Sequence, residues 1–343
     1  MPRFASFPSA VAQMSAVRAG RRRLLLASLA ATMLTAVPGV SAADAPLPVV
    51  ATFSILGEMT SRIGGDRIAL TTLVGPEADA HSHEPGPSDL QNVARARVLV
   101  SNGLAFEGWL PRLLQSAGFS GMVVEASQGA ELRHFAADGA GPDAHDKHHG
   151  HDEADHGDHG HAHEADTVDP HAWQTLANGA VYARNIADAL IAADPAGEAG
   201  YRQRLKDYLD EMAALDTTLK AAFGAIPDRR RKVVTSHDAF GYFSAAYGVQ
   251  FIPVAGLAGH AETSASRMAD IVKRVRAQDV AGIFLESGSN ARLVEQIARE
   301  TGTRVGGVLY SDALAAPGAP ADTYLGMFRW NAEQLLQVMK AAE

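Results

Sequence analysis

The sequence predicts an α/β protein of two lobes, each a four-stranded, mostly parallel sheet flanked by helices, joined by one long rigid helix. Three observations predict this. Short β-branched runs alternate with helical stretches across residues 49–125, and again across 232–340. Strand–helix alternation of that kind builds parallel sheets. Between the two runs, residues 171–193 and 195–223 read as helix with few breakers. The 343 residues, 47% hydrophobic and 20% charged, are enough for two medium-sized cores.

Residues 1–42 stand apart. Arg18 and Arg21 to Arg23 precede an apolar run at 24–37, and Val40-Ser41-Ala42 offers small residues for cleavage. This is the pattern of a secretory signal peptide, and the apolar run is too short to span a bilayer. The basic region is long, so Met14 is an alternative start to Met1. The paired arginines hint at twin-arginine export, but the rest of that motif is missing, so Sec and Tat both stay open.

The first lobe is expected over 44–194. Strands fall at 49–53, 68–74, 98–101 and 122–125, where β-branched and aliphatic residues cluster. Helices follow the first strand to residue 63, begin near Ser88 with Gln91 completing a capping box, and run over 107–117. Asp169 can cap the helix 171–193, with Pro170 in its first position and His171 in its first turn. Pro195 starts a second helix, and 195–225 forms the linker. At 1.5 Å per residue a helix of about 28 residues here spans about 42 Å, long enough to tie two lobes together. The second lobe, 230–343, repeats the order. Strands are expected at 232–235, 250–254, 283–286 and 305–310. Helices are expected up to Tyr247 and at 264–277, 291–301 and 322–340.

Charge and composition exclude several functions. The net charge is −9, and residues 1–42 hold five arginines and no acid, so their removal takes it to −14. Such a chain does not suit nucleic acid and does suit cations. No later segment reads as membrane-spanning, so an exported protein is expected. There is no cysteine, so no disulfide forms and any metal site must use His, Asp or Glu.

One stretch, HDKHHGHDEADHGDHGHAHEAD at 145–166, holds eight histidines and seven acids in 22 residues. It has almost nothing apolar to offset the entropy of ordering. A disordered loop over 138–167 is expected. His145, His148, His149, His151, His156, His159, His161 and His163 would capture ions weakly and raise the local metal concentration.

Four other places combine metal-capable side chains with a strand end or helix start: His81 and His83 in ADAHSHEPGPSD, His171 in VDPHAW, His237 in VTSHDAFGYF and Asp312 in VLYSDAL. Ligands in open α/β sheets bind beyond the carboxyl ends of strands, so these residues can converge on one ion. Three imidazoles and a carboxylate suit tetrahedral Zn²⁺, whereas manganese prefers more oxygen. Four protein ligands leave no open position, which favours holding a metal over catalysis with it. Each residue has a plainer reading. His83 can replace His81, or neither binds. Asp312 can cap a turn. Glu286, at a strand end, is either a solvated acid or an acceptor behind a ligand. His260 lies in a Gly-rich loop and is either surface or an accessory contact.

At these residues the chain resembles the zinc- and manganese-specific periplasmic solute-binding proteins of ABC importers, the cluster A-I type. The carrying motifs are ADAHSHEPGPSDL, VDPHAW, VTSHDAFGYFSAAYG and VLYSDALAAPGAPADTYLGMFRWN, and the similarity covers residues 47–340. The resemblance implies two four-stranded lobes joined by a long helix. It implies metal ligands at His81, His171, His237 and Asp312 in that order. Manganese members tend to carry Glu where His237 stands, so His237 implies zinc. His83 falls where the family often has an aromatic, and the stretch around His260 departs from the usual polar loop. The implied role is capture of Zn²⁺ as a transported ligand in the periplasm, delivered to an ABC permease and its ATPase by a monomer. A periplasmic zinc metallochaperone is a further implied partner. Imidazoles bind metal only when neutral, so affinity should fall below about pH 6.5.

The alternatives are a manganese-binding homologue, an exported zinc-dependent hydrolase, and a buffer whose function is the histidine tract. The hydrolase would need eight strand–helix units in one barrel, which the helical middle interrupts, and no HExxH helix is present. In the buffer the ordered motifs would be idle.

Overall fold

Strand β1 (Leu47–Phe53) pairs with β2 (Ile68–Val74) on one side and β3 (Val98–Ser101) on the other, and β3 pairs with β4 (Met122–Glu125). The second sheet repeats this order with β5 (Lys232–Thr235), β6 (Gln250–Pro253), β7 (Gly282–Glu286) and β8 (Val305–Leu309). Every pair is parallel, in the orders β2-β1-β3-β4 and β6-β5-β7-β8. The computed structural model describes residues 45–135, 167–254, 265–288 and 291–341. The expected signal peptide and nearly all of the histidine-rich loop lie outside these residues.

The strands alternate their faces with period two, as a pleated sheet requires. Val49 and Ala51 face one hydrophobic cluster while Val50 faces another; Val98 and Val100 divide from Leu99 in the same way. Helices α2 (Pro87–Arg95) and α3 (Leu110–Ala117) cover one face of the first sheet through Val93, Leu110 and Leu113. Helices α7 (Ala265–Ala277) and α8 (Ala291–Thr301) cover one face of the second through Ile271, Val275, Val294 and Ile297. The remaining faces share one continuous core with α1 (Ser54–Gly64), α4 (Leu176–Ala193), α5 (Glu198–Gly224), α6 (Gly241–Tyr247) and α9 (Tyr324–Ala341).

The 27-residue α5 packs on α1 and α4 beside the first sheet and on α6 and α9 beside the second. It buries one stripe, Tyr201, Tyr208, Met212, Leu215, Leu219 and Phe223. Arg204 donates to the carbonyls of Ile63 (2.6 Å) and Gly64 (2.9 Å), satisfying the open C-terminal end of α1. Among the described residues, no helix is long and apolar enough to cross a membrane.

Several boundaries differ from the sequence reading, each for a local reason. Helix α2 is capped at Gly86 rather than Ser88. Pro87 takes its first position, and Asp89 Oδ2 accepts the Gly86 N–H at 2.8 Å. Helix α3 begins at Leu110 instead of residue 107: a turn closed by the Leu110 N–H on the Glu107 carbonyl (3.0 Å) leads into it, after Gly103, Leu104 and Ala105, which all have positive φ (82°, 55° and 58°). The two residues with side chains cost about 1–2 kcal/mol each in that conformation. The stretch 171–193 is not one helix. A 3-10 turn at Ala172–Gln174 is followed by extended Thr175, whose hydroxyl accepts the Asn178 N–H at 3.1 Å and caps α4. Thr323 plays a similar part before α9, accepting from Gly326 at 3.0 Å.

Gly179 shows how tightly α4 meets α9. A Cβ there would lie 2.3 Å from the Tyr324 hydroxyl oxygen, and Tyr324 is fully buried. Alanine gains about 1 kcal/mol of helix propensity, but overpacking a rigid core costs about 1–3 kcal/mol. Gly179→Ala is therefore expected to lower the urea midpoint. An unchanged or higher midpoint would show that Tyr324 can yield.

Candidate metal centre

The strand orders place a switch point between β1 and β3, and another between β5 and β7. The functional side chains sit past the carboxyl ends of these sheets. His81 lies in the turn after β2, where Asp79 Oδ1 accepts its N–H at 2.8 Å. His171 precedes the 3-10 turn. Asp169 Oδ1 accepts both its N–H (3.0 Å) and its ring Nδ1–H (2.7 Å). His237 follows β5, and Asp312 follows β8. The Asp312 turn is anchored across the molecule: the Ser311 carbonyl accepts from Trp173 Nε1 (2.9 Å) and Gln174 Nε2 (2.7 Å).

Four residues far apart in sequence meet here. His81, His171, His237 and Asp312 each bring one ligand-capable atom, and all four atoms lie within 4.8 Å of one another. His81 Nε2 is 3.3 Å from His171 Nε2 and 3.5 Å from Asp312 Oδ2. His237 Nε2 is 2.9 Å from Asp312 Oδ2, and His171 Nε2 is 3.6 Å from Asp312 Oδ1. A tetrahedral zinc with ligands at 2.0–2.1 Å separates them by about 3.4 Å, so these spacings suit one small cation. Asp312 Oδ1 is buried with no hydrogen-bond partner among the described residues, a polar atom that a cation would satisfy.

Behind the cluster, two carboxylates orient rings through Nδ1, so that Nε2 faces inward. Asp169 does this for His171, and Glu286 Oε2 does it for His237 at 2.8 Å. Glu286 Oε1 also accepts from the Ser236 N–H (2.8 Å), the Ser236 hydroxyl (2.8 Å) and the His237 N–H (3.0 Å). Such partners fix the tautomer and raise the donor strength of a metal-binding imidazole. The sequence reading had Asp169 only as a helix cap. Its place two residues before His171 was the available signal.

The electrostatics show competition between proton and metal. Burial opposes charge on His237, yet Glu286 and Asp312 outweigh it and hold its pKa well above the usual 6.5. Burial likewise opposes ionisation of Asp312, but His237 and then His171 hold its carboxyl well below the usual range. Glu286 is lowered as well, with His237 overcoming burial. That direction favours the protonated His237 ring in the metal-free protein, and a cation binding at its Nε2 would have to displace the proton. Zinc affinity should rise with pH until the raised His237 pKa is passed, and fall below it. Calorimetry at pH 7 in buffers of different ionisation enthalpy is expected to show proton release on binding. Buffer-independent heats would contradict the charged His237.

The other candidates lie elsewhere. His83 does not join the cluster. Its Nε2 is 3.2 Å from Asp89 Oδ2, and its ring lies edge-on to Trp109 at 4.9 Å. Asp89, which closes the α2 cap, holds the ring there. His134 joins Val168 in an isolated backbone bridge. His260 and the eight loop histidines lie outside the described residues.

The family model described as zinc-uptake complex component A, periplasmic (ZnuA), matches residues 49–338. The chain belongs to the ZnuA family. As a ZnuA-family protein it is a metal-binding, substrate-binding component of an ABC transporter and not an enzyme, and it works outside the cytoplasm with a permease and an ATPase. It is 30% identical over 293 residues to the iron ABC transporter substrate-binding lipoprotein MtsA of Streptococcus pyogenes serotype M1, covering 84% of this chain and 87% of that protein. It is 30% identical over 297 residues to the manganese ABC transporter substrate-binding lipoprotein PsaA of Streptococcus pneumoniae, covering 85% and 88%. Its fold matches the periplasmic zinc-binding protein TroA of Treponema pallidum with a TM-score of 0.74 at 24% identity, covering 86% and 99%.

Proposed function

We propose that the protein is exported by the leader at 1–42, captures Zn²⁺ between its two α/β halves in the periplasm and delivers it to the permease. The observation that carries this reading is the donor set: three imidazole Nε2 atoms and one carboxylate, with neighbouring donors 2.9–3.6 Å apart. The His237 position matters most for metal choice, since nitrogen-rich sets favour zinc over manganese. Lobes at 44–194 and 230–343, joined by 195–225, would each supply two ligands. The protein acts as a monomer, and a periplasmic zinc metallochaperone is a candidate source of its metal. The named relatives are lipoproteins, whereas this sequence has no cysteine to carry a thioether-linked lipid.

A manganese reading has one observation in its favour. Both Asp312 oxygens lie near ring nitrogens, Oδ2 by His237 and Oδ1 by His171. Bidentate use would give a five-donor set with two oxygens, nearer to what manganese prefers. Almost any such site binds zinc more tightly than manganese, so transport decides better than affinity. Deleting the gene is expected to lower cellular zinc in zinc-poor medium. Wild type should restore it and His237→Ala should not. A fall in manganese with zinc unchanged would overturn the zinc reading.

A further inference from the structure

Residues 102–109, between β3 and α3, supply none of the four clustered donor atoms, yet they reach both His81 and His171. The Phe106 ring lies edge-on to the His81 imidazole, with centroids 4.3 Å apart, and 6.1 Å from that of His171. It is 2% exposed and wedged against Phe53 (5.0 Å) and Trp173 (4.8 Å). Trp109 Nε1 donates to the carbonyl of Ala80 at 2.8 Å, the residue before His81. Asn102 Nδ2 donates to the carbonyl of Pro170 at 2.9 Å, the residue before His171. The Tyr182 hydroxyl donates to Asn102 Oδ1 at 2.6 Å and so sets the direction of that amide.

The backbone of this segment is held in an unfavourable shape. Three successive residues, 103 to 105, are left-handed, and such runs persist only where the surroundings over-determine them. Glu107 supplies the restraint. Its buried Oε1 accepts from the Asn102 N–H (2.7 Å) and the Thr52 hydroxyl (2.6 Å). The Phe106 N–H donates to the Gly103 carbonyl at 3.1 Å, closing the turn that aims the ring inward.

His81 differs from the other two histidines. His171 and His237 each have a carboxylate on Nδ1, whereas His81 Nδ1 has no hydrogen bond among the described residues. We propose that segment 102–109 is the positioning scaffold of the metal centre, and that Phe106 fixes the plane of the His81 ring in place of the missing carboxylate. This rests on His81 and His171 being ligands. A His81 ring free to turn would let the ion go sooner.

The test uses the full chain loaded with zinc or cobalt(II), with metal dissociation followed by chelator capture and cobalt absorption reporting the coordination. Phe106→Leu is expected to speed zinc dissociation about 10–100-fold, the affinity lost when groups behind metal ligands are removed being carried by the off-rate, and to change the cobalt spectrum. Trp109→Phe, which removes the bond to Ala80 and keeps an aromatic ring beside His83, should speed it by about tenfold and guards against misfolding of the first variant. Phe243→Leu, equally buried but among Phe240, Tyr247 and Phe328, should lower stability and leave dissociation at the wild-type rate. Wild-type dissociation and spectra in both scaffold variants would overturn the proposal, as would equal acceleration in Phe243→Leu. A wild-type chain that takes up neither metal would instead remove the ligand assignment, and this proposal with it.

Discussion

His237→Ala is expected to lower zinc affinity by two to three orders of magnitude and to destabilise the metal-free protein as well. Both effects follow from what the ring touches. A four-ligand zinc site yields about 10–16 kcal/mol, so one ligand accounts for roughly 2.5–4 kcal/mol. The same ring stands between Asp312 Oδ2 at 2.9 Å and Glu286 Oε2 at 2.8 Å. Glu286 is 3% exposed, and removing one partner of a buried pair costs about 3–5 kcal/mol. In the metal-free protein the His237 charge is retained below its raised pKa and lost as the pH rises through it. Its contribution is therefore fully present below the ordinary histidine value and fades in the alkaline direction, and the gap between variant and wild type should narrow there. Isothermal titration with zinc and thermal melts across pH check the two effects separately. A folded variant with wild-type zinc affinity would mean that the ligand set is wrongly drawn.

Trp173→Ala should be the most damaging single change in the core. Trp173 is fully buried against Phe53 and Phe106, and truncating such a side chain costs about 3–5 kcal/mol. At about 2.1 cal/mol/K per residue over about 300 residues, that is a fall of roughly 5–8 °C in melting temperature. The indole also donates to the Ser311 carbonyl, so the turn that carries Asp312 loses one of its two side-chain anchors. Zinc should restore less stability to this variant than to wild type. Trp173→Phe should keep most of the packing and lose the hydrogen bond, so its fall in stability should be the smaller one. A melting temperature within 2 °C of wild type for Trp173→Ala would show that the cavity collapses without cost.

The strands could be read almost to the residue because their signal is local. Val98, Leu99 and Val100 are β-branched or aliphatic, run into Asn102-Gly103, and alternate between two cores. The four cluster residues were visible for a related reason: each falls just past a strand or at a helix start, where an open α/β sheet gathers its ligands. Helix starts were read less well. Gly86, Thr175 and Thr323 hold their helix ends through contacts that compete with equally good local signals, such as Ser88 with Gln91. The choice among them rests on packing that no short window contains.

Composition and periodicity in this chain were enough to establish two parallel sheets, a long connecting helix, and a site confined to nitrogen and oxygen donors. The family resemblance already favours His81 over His83; what packing adds is that Asp89 and Trp109 hold His83 outside the cluster while Phe106 faces His81. The places of Asp169 and Glu286 behind two of the rings, and the left-handed turn at 103–105, came from the same source. Ligand types follow from local pattern, but the direction in which each ring points is set by neighbours distant in sequence, and those neighbours meet only when the two sheets pack on their shared core.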